Sequence, residues 1–333
     1  MDGSAIAVLV PCRNEAFTVA RVVADFQAAL PNAKIYVYDN ASTDATAEVA
    51  KHAGAVVRFE PRPGKGGVVR RMFADVEADI YVLVDGDATY DAASAPLMVQ
   101  RLVDGQLDMV TAVRRAVGHE RPYPPGHRFG NHAFNALLGA LFGQRPADLL
   151  SGYRVLSRRF VKSFPAVSQG FEIETEMTVH ALEQRLPIDE VATPYFEREP
   201  NSQSKLSTFR DGLRILRTTL VLFRDERPLV FFGFMAILAA TASVVLGIDI
   251  VVEFMRTHLV PRLPTAILAT GLMLSAFLAL TCGLILDTVA RGRREAKRLA
   301  YLRQPHDERA GEARMPAPAR RAARRADVAK SIT

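Results

Sequence analysis

The chain has no tryptophan and only two cysteines, Cys12 and Cys282. Cys282 lies inside a long apolar run and Cys12 far from it, which argues against a mutual disulfide and fits a reducing compartment. Neither a G-x-G-x-x-G turn nor a Walker loop occurs, so neither NAD binding nor ATP hydrolysis is indicated. His119, His127, His132 and His180 lack metal-ligand spacing and read as loop or packing residues. Ala5 to Val10 is too short for a secretory signal and runs straight into Pro11 and charged residues. No internal repeat or heptad array is visible.

Against those absences stand two long apolar runs, Leu229 to Val252 and Thr265 to Leu286. Each exceeds the roughly 20 residues that cross a bilayer, so both read as transmembrane helices. Asp249, the only charge inside either, sits near the far end of its run, where an interface tolerates it. The joining segment carries Arg256 and Arg262. The outer flanks are more basic, with Arg210, Arg214, Arg217, Arg224 and Arg227 before and Arg291, Arg293, Arg294, Lys297 and Arg298 after. The positive-inside rule then predicts an integral membrane protein whose N-terminal domain and both termini are cytoplasmic, most simply at a bacterial inner membrane. The formal charge of +6 gathers at these flanks and in the tail, matching anionic lipid better than nucleic acid.

The expected organisation is a domain over 1–205, an amphipathic interfacial helix over 206–227, a transmembrane hairpin over 228–288 and a basic cytoplasmic tail over 289–333, disordered beyond 305. In the second segment Phe209, Leu213, Leu216, Leu220 and Phe223 recur at helical spacing beside a strip of arginines. Such a helix lies in the headgroup layer or, alternatively, packs on its own domain.

The first 205 residues alternate as βαβ units do. Strands are expected near Ala5–Val10, Lys34–Tyr38, Ala55–Phe59, Ile80–Val84 and Asp108–Ala112. Helices are expected over Thr18–Leu30, Asp44–His52, Gly67–Ala78 and Ser94–Asp104, with Asp44 and Ser94 as N-caps. Polar turns follow three of the strands: Pro11, Arg13, Asn14 and Glu15; then Asp39, Asn40, Ser42 and Asp44; then Asp85, Gly86 and Asp87. In a parallel sheet all three fall on the edge where ligands bind. Each cluster alone is ordinary turn chemistry. Together they point to a nucleotide-sugar site, with Asp85 and Asp87 offering hard oxygen donors to Mg²⁺ or Mn²⁺. Gly64-Lys65-Gly66-Gly67 adds a cation before a helix, a setting for phosphate.

These motifs, in this order and together with Ser151-Gly152-Tyr153-Arg154, resemble those of family 2 glycosyltransferases, and most of all the polyprenyl-phosphate glycosyltransferases of the dolichyl-phosphate mannose synthase type. The resemblance covers roughly residues 5 to 225, and the hairpin is similar to that of members with two C-terminal transmembrane helices. It implies an α/β GT-A fold with a mostly parallel sheet, and inverting transfer of one sugar from a UDP- or GDP-linked hexose to a polyprenyl phosphate. It implies that Pro11, Arg13, Glu15 and Asp39 line the nucleoside pocket, and that Asp85 and Asp87 hold the metal. Several members carry a Gln in the metal shell where this chain has Thr89.

A polyprenyl phosphate needs no general base, because its second ionisation lies near pH 6 by analogy with phosphorylated side chains. Catalysis then asks for alignment and charge neutralisation, a task for arginine. Arg114 and Arg128 are the candidates, with Arg115 and Arg121 as substitutes. Asp148 matches an acidic family position and either orients the sugar or acts as a base toward an alcohol. Ser151, Arg154, Arg198, Ser204 and Lys205 complete the acceptor set implied by the resemblance. One of Glu172, Glu174 and Glu176 is expected to face the pocket. The family includes membrane-bound homo-oligomers. Two alternatives remain open: a different acceptor, and an inactive membrane-anchored nucleotide-binding scaffold. A processive polysaccharide synthase is disfavoured, since its Gln-x-x-Arg-Trp motif needs a tryptophan.

Overall fold

The computed structural model describes residues 4–116, 146–197 except 169 and 171, and 221–304 except 222 and 226. Seven strands form one sheet: β1 (Ile6–Cys12), β2 (Lys34–Asp39), β3 (Val56–Phe59), β4 (Ile80–Leu83), β5 (Met109–Ala116), β6 (Arg154–Ser157) and β7 (Ile188–Tyr195), in the order β3-β2-β1-β4-β6-β5-β7. Only β6 opposes the others. It lies antiparallel between β4 and β5, while β5 and β7 pair in parallel. The carboxyl ends of β1, β2, β4 and β5 therefore share one edge, and the chain enters β6 from that edge.

Strands in such a sheet are apolar on both faces because helices cover both. On one face Val8, Val10, Val82 and Val84 meet α1 (Val19–Ala29) and α4 (Ala95–Gly105) through Val23, Phe26, Met98 and Val99. On the other, Leu9, Tyr81 and Leu83 meet α3 (Lys65–Asp75), α5 (Arg158–Ser163) and α6 (Ile173–Gln184) through Met72, Phe73, Phe160 and Met177. Each such side chain contributes roughly 1.5–3 kcal/mol by leaving water. The short α2 (Thr46–His52) joins the first layer through Ala50.

Two expected caps work differently. Ser94 precedes α4 but makes no capping bond; its hydroxyl donates to Asp91, which caps the 3-10 turn Ala92–Ser94 instead. Asp44 does not stand at the N-cap of α2, a place taken by Ala45, yet its Oδ1 accepts from the Thr46 amide and hydroxyl. Helix α3 starts at Lys65 and not at Gly67, because Gly64 turns the chain with φ of 135°, a conformation that favours glycine.

The chain divides into two compact units, the sheet with its helices and residues 297–304 forming one. Within it Lys297 pairs with Glu183 at 2.7 Å, and Tyr301 donates to Asp108 at 2.9 Å. The other contains α7 (Pro228–Thr257) and α8 (Leu263–Leu302) as far as Ala296. Both helices are long and apolar enough to cross a membrane. They meet along small residues: Ala236 and Ser243 on α7, and Ala269, Ala276, Gly283 and Ala290 on α8, all buried. On each helix these recur at every seventh position, which keeps them on one face. Ser243 donates to the Ala269 carbonyl at 2.7 Å. At Gly283 a Cβ would stand 3.1 Å from the Phe232 Cβ, the close approach that small residues permit between apolar helices. Phe234, Ile237, Phe277 and Leu278 point outward.

Candidate functional site

The three polar turns sit side by side, since Cys12 of β1 is in register with Asp39 of β2, and Leu9 with Leu83 of β4. They are tied to one another. The Asn14 amide donates to Ser42 Oγ at 2.9 Å, the Thr43 amide to Asn14 Oδ1 at 2.8 Å, the Glu15 amide to Thr46 Oγ1 at 2.9 Å and the Ala16 amide to Asp44 Oδ2 at 3.2 Å. Pro11 and Glu15 are half-buried, while Arg13 stands exposed beside them. Asn40 is buried; its Nδ2 donates to the carbonyls of Glu60 and Arg62, and its Oδ1 accepts from the Gly64 amide at 2.8 Å. Asn40 thus sets the loop that delivers Lys65. Asp39 is 5% exposed, and its Oδ1 is buried without a partner among the described residues. An acceptor left so is costly unless a ligand supplies a donor.

Gly86 is required for room. A Cβ there would come 2.5 Å from Cys12 Sγ. Its carbonyl accepts from Thr18 Oγ1 at 2.7 Å, which binds the Asp85-Gly86-Asp87 turn to the start of α1. Beyond it, Thr89 donates through Oγ1 to Asp87 Oδ1 at 2.7 Å. The residue standing in place of the family's Gln thus orients the second aspartate.

Asp85 meets Lys65, whose ammonium also meets Glu174 Oε1 at 2.5 Å. Burial alone would lower the lysine pKa. Asp85 and Glu174 outweigh it and hold the ammonium well above the ordinary range. One cation between two carboxylates leaves an excess of negative charge, and burial, with Asp85 adding to it, pushes the Glu174 carboxyl up. Of the three alternating glutamates it is Glu174 that faces the site. Glu176 accepts from the amides of Val167 and Ser168, and Glu172 precedes α6.

Across the edge, Arg114 near the end of β5 grips Asp148 with Nε to Oδ2 at 2.7 Å and Nη2 to Oδ1 at 2.8 Å, a two-pronged pair. Its guanidinium lies 5.4 Å over the Tyr195 ring. Glu190 of β7 accepts from the Ala147 amide and fixes the same segment. Tyr90, whose hydroxyl accepts from the Gly152 amide at 2.9 Å, packs edge-on against Tyr153 and Tyr195. Burial pushes its phenol up; the charge of Asp85 adds to this, while Arg114 and Lys65 oppose it. Tyr90 therefore joins the Asp85 side to the Arg114 side. No spacing in the sequence marked it, because its role rests on contacts with the turn before β6 and with β7.

Ser151 and Arg154, expected to meet the acceptor, are fully enclosed. Arg154 spends its guanidinium on the carbonyls of Leu149 and Ser151, on Thr178 Oγ1 and on Met109 Sδ. Burial pushes its pKa down to about 10, which leaves it charged. It shapes the turn under the site and does not reach into it. Arg128, Arg198, Ser204 and Lys205 lie outside the described residues.

Asp85 and Asp87 fit a divalent cation in kind, as two hard carboxylates flanking one tight turn. Among the described residues no group of three or more His, Cys, Asp or Glu could hold an ion. Such a cation would complete its shell with water and phosphate oxygens, as Mg²⁺ commonly does.

The profile of glycosyl transferase family 2 matches residues 7–164. Glycosyltransferase AglJ of Haloferax volcanii is 30% identical over 87% of this chain and 95% of that protein. This chain belongs to glycosyltransferase family 2. A dolichyl-phosphate hexose transferase of the same archaeon is 28% identical, over 67% of this chain and 95% of its own length. Among solved structures, glucosyl-3-phosphoglycerate synthase from Mycobacterium tuberculosis, in complex with Mn²⁺, UDP and phosphoglyceric acid, superposes with a TM-score of 0.55 at 24% identity, covering 66% of this chain and 78% of that one. That likeness is one of fold: this family 2 enzyme has a GT-A sheet, followed by two apolar helices.

Proposed function

We propose that this glycosyltransferase moves a single hexose from a UDP- or GDP-sugar to a polyprenyl phosphate at a membrane face, inverting the anomeric carbon. The observation that carries the reading is the Arg114–Asp148 pair. Both oxygens of the carboxylate are engaged by one guanidinium, which favours an acceptor that arrives already ionised over one that Asp148 must deprotonate. A phosphate monoester does so, with a second pKa of about 6. The two apolar helices supply a means of meeting a lipid-borne acceptor, and the hexose transferase named above is a relative with a dolichyl phosphate in its name.

In this reading Asp39 Oδ1 accepts from the nucleobase, with Pro11, Arg13 and Glu15 around it, and Lys65 meets the diphosphate. Mg²⁺ or Mn²⁺ on Asp85 and Asp87 would offset the charge that grows on the departing nucleoside diphosphate. Arg114 turns the edge not used by Asp148 toward the acceptor phosphate, with Arg128 as its second cation. An acceptor oxygen forms the new bond to the anomeric carbon while the bond to the donor's β-phosphate oxygen breaks, the electron pair leaving with the diphosphate. Thr89 keeps Asp87 in place throughout. With more basic flanks on the outer sides of the hairpin, the sheet unit and both termini are read as cytoplasmic.

The test is to incubate purified full-length protein with Mn²⁺, labelled UDP- and GDP-hexoses and undecaprenyl or dolichyl phosphate, with 3-phosphoglycerate in a parallel arm. Organic-soluble label is expected. Label in the soluble acceptor alone, or in no lipid with any sugar, refutes the lipid acceptor.

A further inference from the structure

Lys65, at the first position of α3, is enclosed between carboxylates from distant parts of the chain: Asp85 after β4 and Glu174 in the first turn of α6. Glu174 is 3% exposed, and its Oε2 is buried with no partner among the described residues. A buried, half-satisfied carboxylate is a cost to the fold. The backbone of Gly152 closes over the group, since a Cβ there would strike the Asp85 carboxylate and come within 3.0 Å of Lys65 Nζ. Asp85 is also one of the two carboxylates that fit a divalent cation. Ammonium and cation thus draw on the same carboxylate.

We propose that Glu174 is a positioning residue acting through Lys65: it keeps the ammonium tethered so that Lys65 exchanges Asp85 for the donor's diphosphate when Asp85 engages a cation. The inference rests on the donor half of the function proposed above and adds that cation and diphosphate bind interdependently. Without diphosphate, Lys65 holds Asp85 and opposes the cation. With diphosphate, the ammonium gains a second anion and releases the carboxylate. A flexible stem ending in a compact charge suits that exchange, where the rigid fork of arginine would not. Glu174 prevents the released lysine from wandering and keeps the pocket from becoming too positive for the cation.

The test measures Mn²⁺ binding to purified full-length protein by electron paramagnetic resonance, with and without UDP or GDP, and without any acceptor. In the wild type, nucleotide should tighten Mn²⁺ by about ten-fold or more, within the usual range of coupling between sites. Lys65→Met should tighten Mn²⁺ several-fold in the absence of nucleotide and reduce the nucleotide's effect to about three-fold or less. Glu174→Gln should do the opposite to bare Mn²⁺, weakening it, and Glu174→Asp should restore part of the loss. A purely structural role would move both substitutions the same way. Unchanged or weaker bare Mn²⁺ binding in folded Lys65→Met, or in Lys65→Gln should the first variant not fold, overturns the inference alone. Wild-type protein that binds no Mn²⁺ even with nucleotide overturns the donor half of the function as well.

Discussion

Substituting Gly86 by Ala isolates the geometry of the Asp85-Gly86-Asp87 turn. The φ of Gly86 is open to any residue, since the only positive-φ glycines among the described residues are Gly54 and Gly64. Space alone forbids a side chain. The new Cβ would stand 2.5 Å from Cys12 Sγ, with Val10 Cγ1 at 3.6 Å and Cys12 Cβ at 3.7 Å in ordinary contact. Overpacking of this kind costs about 1–3 kcal/mol. In a domain of this size that lowers Tm by about 2 to 12 °C. Cys12→Ala alone leaves a small void and costs about 1 kcal/mol, as other small deletions do. The double variant removes the clashing sulfur and fills part of its space, so it should be no less stable than Cys12→Ala. The interaction energy is then about 1–3 kcal/mol in favour of the pair, well outside additivity. Circular dichroism melts of the four proteins in detergent give the cycle. Turnover should fall in Gly86→Ala and return in the double variant, because the displaced turn carries both aspartates. Additive losses, or a Gly86→Ala protein that melts with the wild type, would refute the reasoning.

Thr89→Val keeps shape but removes the donor to Asp87 Oδ1; a stability loss of about 1 kcal/mol with at least a ten-fold fall in kcat/KM is expected, and equal activity would sink Thr89's part. His180 packs edge-on against Phe160 and Phe164 without a ring-nitrogen partner among the described residues. Burial, helped by Lys297 and opposed by Glu183, pushes it down to about 4. The unfolded chain takes up a proton below its pKa of about 6.5, so stability is full above that pH and is lost progressively down to about 4, by roughly 3 kcal/mol in all. Melting of His180→Phe against pH should be flatter across that window than the wild type. Gly283→Leu should push α8 off Phe232 and Leu229 and cost about 1–3 kcal/mol by overpacking, read as a lower detergent-phase Tm, whereas leucine at outward-facing Phe277 should leave it unchanged.

The first five strands were legible because each is a short β-branched or aromatic run between polar turns. β6 and β7 were not. β6 is four residues beginning with a buried arginine, and β7, at the end of the sheet, carries Asp189, Glu190 and Pro194 and looks like a loop. Helix α6 hid for the converse reason: nearly all its side chains are buried, polar ones included, so no stripe distinguishes one face. That is why Glu172, Glu174 and Glu176 looked interchangeable until the helix separated them. Asp39, Asp85 and Asp87 were singled out from their place after strands, and Lys65 from its place in a glycine loop before a helix. Arg154 was expected among the acceptor ligands but turns its guanidinium inward onto the Leu149 and Ser151 carbonyls and Thr178; nothing in Ser151-Gly152-Tyr153-Arg154 tells whether the guanidinium turns out or in.

The lacing between neighbouring turns has a bearing on how a donor is received. Asn14 is bonded to Ser42 and Thr43, and the Glu15 amide to Thr46, so the cradle is laced together before anything enters it. Little ordering entropy is then charged to an incoming nucleotide. Loss of a hydroxyl that ties two of these turns together, such as that of Ser42, would be felt as slower capture.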